Sequence, residues 1–221
     1  MYTIRIWDAP TRVFHWALVG CFAGLFVTGK TGGNAMEWHF RLGYLMALLL
    51  LFRLAWGLVG GHWSRFSSFL FTPRTMMNYL SGHKAPEVIA GHNPLGGVSV
   101  LAMLLLLLVQ VGTGLFTQDL DGETFGPFSA MASRATIKVV SGYHKGLGQS
   151  LLLALVVFHL LAVAFYFVRK KINLVVPMLT GDKLLADAVK PSRDDWQSRV
   201  IAVMIFTICA ASVAIVVTVG G

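Results

Sequence analysis

Four histidines stand where imidazole chemistry inside a membrane would need them. His144 and His159 lie fifteen residues apart in one apolar stretch. On a helix that interval covers about 22 Å of axis and returns to within about 60° of the starting direction. Both rings therefore project towards broadly the same face, one near each membrane surface. His39 opens a second apolar stretch, and His15 lies near the start of a third. With successive spans running in opposite directions, His39 comes to the depth of His144 and His15 to the depth of His159. Two facing couples at two depths suit two metal centres. Zinc favours ligands gathered around one point, whereas bis-histidine ligation suits low-spin haem iron that only transfers electrons.

Each histidine alone has an ordinary alternative, a hydrogen bond to a neighbouring helix. Ionisable groups at membrane depth mark functional sites by default, and the matched depths of all four favour ligation. Arg53 follows His39 by fourteen residues, about 21 Å deeper and within about 40° of its direction. A guanidinium there could pair with a haem propionate or snorkel to the surface. Arg12, beside His15, reads as a propionate partner or a topology anchor. Arg41 and Lys145, near the outer histidines, read as propionate partners or as interfacial charge. Trp16, Trp38, Trp56 and Trp63 read as interfacial aromatics, and His62, His83 and His92 as solvated loop residues. Gly20, Gly24, Gly29, Gly43, Gly112 and Gly114 allow close helix approach or room for a porphyrin.

The elements that must position these groups follow from composition. Of 221 residues, 56% are hydrophobic and only 13% charged, which points to lipid. Five stretches reach the about 20 residues that a helix needs to cross a hydrocarbon core: Val13 to Thr28, His39 to Val59, Leu95 to Thr117, Leu147 to Val168 and Val200 to Val219. The sequence predicts an all-α integral membrane protein. Residues 1–185 form a four-helix domain around the histidines, and residues 186–221 add a fifth, C-terminal membrane helix for packing or docking. The segment from Arg65 to Gly82 is amphipathic enough to lie in the interface as a short helix. The first span lacks the cleavage site of a signal peptide. Cys21 and Cys209 both lie in spans, and neither a disulfide framework nor a C-x-x-C-H haem attachment site is implied.

The net charge of +8 reads as topology and not as nucleic-acid affinity. Basic residues gather at Arg5 and Arg12, at Arg65, Arg74 and Lys84, and from Arg169 to Lys171 with Lys183, Lys190, Arg193 and Arg199 beyond. All fall on one side if the N-terminus is cytoplasmic. Asp119, Asp121 and Glu123 fall on the other, in a turn broken by Gly122, Gly126 and Pro127, although Arg134 and Lys138 soften the contrast. The expected orientation is N-terminus cytoplasmic and C-terminus periplasmic in a bacterial inner membrane.

Trp7 to Trp16 (W-D-A-P-T-R-V-F-H-W), Arg53 to Gly57 (R-L-A-W-G), R-F-S-S-F-L from Arg65 and Gly91 to Gly97 (G-H-N-P-L-G-G) form a recognisable series. T-G-L from Thr113, the span from His144 to His159 and V-P-M-L-T-G from Val176 complete it. Together they resemble the bacterial dihaem cytochromes that include prokaryotic cytochrome b561 and the b-type subunit of nickel-iron hydrogenases. The resemblance implies a four-helix bundle holding two non-covalent b haems, with a fifth helix added here. It also implies His15, His39, His144 and His159 as axial ligands. The span-four histidines usually lie fourteen apart in such relatives and fifteen apart here, a difference that a one-residue helical bulge absorbs.

The expected function is electron transfer between an extracytoplasmic partner, a hydrogenase or a cytochrome c, and the quinone pool. The chain would serve as one subunit of a larger oxidoreductase complex in the lipid membrane. Two readings from other classes compete: a non-haem membrane anchor, and a proton-relay or transport subunit, for which no inverted repeat is visible.

Overall fold

Three of the helices begin where the sequence supplies a short polar side chain with a proline one or two residues on. Asp8 accepts from the Thr11 N–H at 2.8 Å, Thr72 from the Thr75 N–H at 3.2 Å and Asn93 from the Gly96 N–H at 2.8 Å. Each satisfies a donor orphaned at a helix start, while Pro10, Pro73 and Pro94 preset φ where a missing N–H costs nothing. A computed structural model describes residues 1–82, 90–118 and 125–220. His83, Lys84, Asp119, Asp121, Gly122 and Glu123 lie outside the described residues.

In chain order the elements are β1 (Tyr2–Arg5), α1 (Ala9–Thr31), α2 (Ala35–Val59), α3 (Pro73–Leu80), α4 (Pro94–Gly114), α5 (Arg134–Tyr143), α6 (Gln149–Arg169), α7 (Val175–Thr180), β2 (Asp182–Leu185) and α8 (Trp196–Gly220). Among the described residues, five helices are long and apolar enough to cross a membrane: α1, α2, α4, the α5–α6 run of Arg134–Arg169, and α8. Many of their large apolar side chains, such as Phe158, Leu160 and Leu161 on α6, are exposed. Such a surface belongs against lipid, and a helix satisfies its backbone there without water. The chain is an all-α integral membrane protein with one minor addition, an antiparallel ribbon pairing Tyr2 with Leu185 and Arg5 with Asp182.

The fourth crossing starts earlier than its apolar stretch suggests. Ser133 caps α5, accepting from the Thr136 N–H at 3.2 Å, so helix replaces much of the expected outer loop. Between α5 and α6 the helix widens into a π turn at His144–Gly148. That turn inserts one residue between His144 and His159, matching the interval of fifteen. The expected interfacial helix is α3, whose Met77 and Leu80 are exposed.

The chain divides into two compact units. Unit 1 comprises Met1–Phe14, Arg53–Ala102 and Val156–Ile205, and unit 2 comprises His15–Phe52, Met103–Leu155 and Phe206–Gly221. Unit 1 packs Ile4, Ile6, Trp7, Trp63 and Ala90 together, with Met178, Leu185 and Val189 against them. Arg5 ties the ribbon down through Asp182 at 2.7 Å and Asp194 at 2.6 Å. Burial works to raise the Asp194 pKa, but the Ala9 N–H, Arg199 and Arg5 outweigh it and hold the carboxyl below its ordinary value. Unit 2 buries Cys21, Met46, Leu49, Leu50, Phe52, Leu104, Leu107, Leu152 and Cys209.

Two expectations for aromatic and loop residues are corrected. Trp16 and Trp38 are exposed as interfacial aromatics should be, but Trp56 and Trp63 are buried. Their indoles donate inward, Trp56 to Asp8 at 3.2 Å and Trp63 to the Lys190 carbonyl at 2.7 Å. A buried indole needs an acceptor, and distant segments supply both. His92 is not a solvated loop residue either. Its ring centre lies 4.7 Å from those of both Trp7 and Phe69.

Candidate functional site

Unit 2 brings His39 of α2 and His144 of the π turn together. Their ring centres are 6.2 Å apart and their planes cross at 86°. A metal–imidazole bond is about 2 Å, and the ring centre lies about 1.1 Å behind the bonding nitrogen. Two imidazoles on opposite sides of one metal therefore have centres about 6 Å apart, the separation found. Among the described residues no group of three or more His, Cys, Asp or Glu could hold a metal ion. Two axial nitrogens suffice only where a macrocycle supplies the remaining ligands, as in bis-histidine haem.

The helices opposite hold the two rings by the same device. His39 Nδ1 meets the Leu25 carbonyl at 3.0 Å and Thr28 Oγ1 at 3.3 Å. His144 Nδ1 meets the Gln110 carbonyl at 2.9 Å and Thr113 Oγ1 at 3.4 Å. Each threonine sends its own proton back one turn, Thr28 to Gly24 at 2.7 Å and Thr113 to Val109 at 2.8 Å. Its oxygen is left to accept. The acceptors around each Nδ1 place the ring proton there and leave Nε2 as the lone-pair nitrogen that a metal requires. Glycine follows each threonine. A Cβ at Gly29 would stand 3.0 Å from His39 Cε1, and one at Gly114 would stand 3.0 Å from His144 Cε1. The absent side chains make room for the imidazoles.

Gln110 grips His144 twice. Besides its carbonyl on the ring, its Nε2 donates to the His144 carbonyl at 2.8 Å, which helps to hold the π turn. Around the couple lies a cavity of about 490 Å³, lined by both histidines with Phe22, Leu25, Phe26, Phe40, Tyr44, Leu107, Val111, Leu115 and Leu152 among others. That volume lies in the range of cofactor sites, about 300–1,000 Å³, as does its apolar wall with a few polar groups. Lys145 lines the cavity as the sequence expected, and so does Lys30, which the sequence reading missed. Arg41 does not line it; it pairs with Glu37 and lies over Trp38.

His15 belongs to unit 2 and His159 to unit 1, each half-buried. Their pairing rests on helical register alone. In unit 1, Arg53 is only 3% exposed, which excludes snorkelling. Its Nη1 donates to the Ser64 carbonyl at 2.9 Å, and its guanidinium lies 4.9 Å from the Phe66 ring centre. Arg12 donates to the Leu179 carbonyl at 2.6 Å and stands 3.8 Å from Asp194. The sequence reading also missed Asp8, which is fully buried. Its carboxylate accepts from the Thr11 and Gly61 N–H groups, from Trp56 Nε1 and from Ser64 Oγ.

The chain matches the family model described as prokaryotic cytochrome b561 over residues 6–181. It is 26% identical over 153 residues to the probable Ni/Fe-hydrogenase 1 B-type cytochrome subunit of Escherichia coli (strain K12), covering 56% of this chain and 64% of that protein. It is 25% identical over 220 residues to the probable Ni/Fe-hydrogenase B-type cytochrome subunit of Rhizobium leguminosarum bv. viciae, covering 84% and 90%. The corresponding protein of Bradyrhizobium diazoefficiens is 22% identical over 219 residues, covering 84% and 87%. The match thus spans just under two thirds of the Escherichia coli relative but most of the other two. No solved structure matches the chain. An all-α membrane architecture and a histidine couple spaced for one iron coincide with a family match running from Ile6 to Gly181: the chain belongs to the prokaryotic cytochrome b561 family.

Proposed function

We propose that this chain is a dihaem b-type cytochrome that carries electrons between an extracytoplasmic redox partner and the quinone pool. The observation that supports it best is the 6.2 Å separation of the His39 and His144 rings, each with Nδ1 committed to a carbonyl. Haem b, when bound, supplies an iron that changes oxidation state by one electron with both axial positions closed to substrate. His39 and His144 would bind it through Nε2. Leu25, Thr28, Gln110 and Thr113 orient those rings, and the apolar lining excludes water. Lys30 and Lys145 supply positive charge at the cavity for propionates.

A second haem, on His15 and His159, is supported by helical register alone. Arg53 and Arg12 are the proposed cations for it, through guanidinium N–H groups other than those bonded to Ser64 and Leu179. The relatives' names make a hydrogenase the first candidate for the partner subunit, with a cytochrome c as the other. The basic residues support a cytoplasmic N-terminus in a bacterial inner membrane.

The test is spectroscopic. Protein purified from haem-replete cells should give a reduced-minus-oxidised b-haem spectrum with about two haems per chain, as two bis-histidine sites require. A colourless preparation would overturn the reading in favour of an anchor or a proton relay. His159→Ala should remove one haem and leave the one between His39 and His144. In membranes containing the partner complex, quinol should reduce the haems, or the partner's substrate should reduce quinone through them.

A further inference from the structure

Unit 1 contains a second cavity, of about 240 Å³, where the end of α2 meets the start of α8. Its wall carries four basic side chains, His62, Arg65, Lys190 and Arg193, and no carboxylate. Arg193 is occupied by Asp195 at 2.8 Å and Gln197 at 3.1 Å. Arg65 spends only its Nε, on the Gly60 carbonyl at 2.8 Å. Its terminal nitrogens and the Lys190 ammonium have no hydrogen bond or ion pair among the described residues. Two such positive groups side by side at a concavity, with no counter-charge of their own, are electrostatically costly unless an anion enters. The haem reading uses none of these groups.

The surroundings identify the kind of anion. Leu58 and Val59 at the end of α2, and Val200 and Val203 at the start of α8, present exposed apolar side chains. Trp196, at the first turn of α8, is also exposed, as tryptophan is at a membrane–water interface. The cavity therefore lies where hydrocarbon gives way to headgroups. Arginine's planar fork matches phosphate oxygens, and lysine adds a compact charge. We propose that this cavity binds the phosphate of an anionic membrane phospholipid. Arg65 and Lys190 hold the phosphodiester, His62 and Arg193 complete the rim, and the acyl chains lie along the apolar faces of α2 and α8. Basic pockets at the ends of membrane helices take anionic headgroups in this way. A neutral quinone ring would leave the Arg65 fork and the Lys190 ammonium uncompensated.

The experiment is native mass spectrometry of the full chain in detergent, titrated separately with phosphatidylglycerol, phosphatidylcholine and inorganic phosphate. Phosphatidylglycerol should remain bound under activation that strips phosphatidylcholine. Lys190→Gln should weaken phosphatidylglycerol about fivefold, and Arg65→Gln with Lys190→Gln about 25-fold, at about fivefold per charge removed near the surface. The Lys190 side chain makes no hydrogen bond or ion pair among the described residues, so that single variant decides the matter even if the double variant misfolds. Arg134→Gln with Lys138→Gln removes the same charge from unit 2 and should change binding less than about twofold, because a local site and not the overall charge is responsible. Wild-type retention in Lys190→Gln, or an equal loss in the unit 2 control, overturns the proposal. So does binding of inorganic phosphate without phosphatidylglycerol, which would assign the cavity to a free anion.

Discussion

The two units treat buried polar groups in opposite ways. Around Asp8 in unit 1 they satisfy one another. Asp8 receives four donors, Thr11 Oγ1 donates to Ser64 Oγ at 2.7 Å, and Arg53 donates to the carbonyl of the same serine. In unit 2, His39 and His144 are satisfied on one side only. Each Nδ1 is tied to a carbonyl and a threonine, while the rings stand 6.2 Å apart at a cavity. A closed network is architecture, since every partner is already in the chain. A half-closed one points to a partner from outside the chain. Being polar and buried does not by itself distinguish the two; the state of the second hydrogen-bonding atom does.

That contrast can be broken most directly at its functional end. His144→Ala should lower haem content from two to one per chain, measured as pyridine haemochrome, because only His39 remains for that iron. Retention of both haems would show that the couple is not the ligand pair. The architectural end should respond in stability instead. Asp8→Ala leaves the donors of Trp56, Gly61 and Ser64 unmatched and removes the carboxylate near Arg53, which should cost about 3–5 kcal/mol. Thermal unfolding in detergent reads this, and haem per folded chain should stay constant.

A finer test separates orientation from ligation. Thr28→Val and Thr113→Val each remove one acceptor from a histidine Nδ1 and leave the backbone carbonyl in place. Ligand basicity falls slightly, so the midpoint potential of the haem between His39 and His144 should rise by a few tens of millivolts, within the about 59 mV that a tenfold change represents for one electron. The other haem should not move; redox titration distinguishes them.

The smallest effect belongs to Lys183 of β2, whose ammonium donates to the Ala90 carbonyl at 2.9 Å. Burial lowers its pKa to about 8 from the ordinary 10.5. Between those values the unfolded chain binds the extra proton, so stability rises with pH across that window and is lost as pH falls through about 8. Lys183→Met should abolish that slope in unfolding scans, without effect on either haem.

Much of this was readable from the chain. The five crossings lie where apolar length put them, to within a few residues at most ends, because hydrophobic run length is a local property. The short interfacial helix falls within its expected segment at Pro73–Leu80, and the interval of fifteen found its bulge at His144–Gly148. Unreadable were features whose partners come from far away. The Tyr2–Arg5 strand meets Asp182–Leu185 about 180 residues later, and four-residue strands carry no periodicity of their own. Trp56 and Trp63 look like interfacial aromatics until Asp8 and the Lys190 carbonyl reach them. Lys30 lay among loop residues, and only the cavity wall reveals it. Thr28 and Thr113, each followed by glycine, were given no role at the histidines by the sequence. Their repetition opposite the two histidines was the one signal that could have exposed them.

By itself, then, the sequence determined that the chain lives in lipid, that helices cross it five times, and that imidazoles recur along those helices at intervals matched to opposite membrane faces. Helical rise and hydrophobic length suffice for that, because both are set by neighbours along the chain. Only the tertiary structure decided that the His39 and His144 ring centres come within 6.2 Å, and that acceptors from α1 and α4 meet each Nδ1 and leave Nε2 without the ring proton. It alone also decided that Asp8 gathers the buried donors of unit 1. Each of these depends on an atom contributed by a segment remote in sequence, and no local propensity encodes where that atom will be.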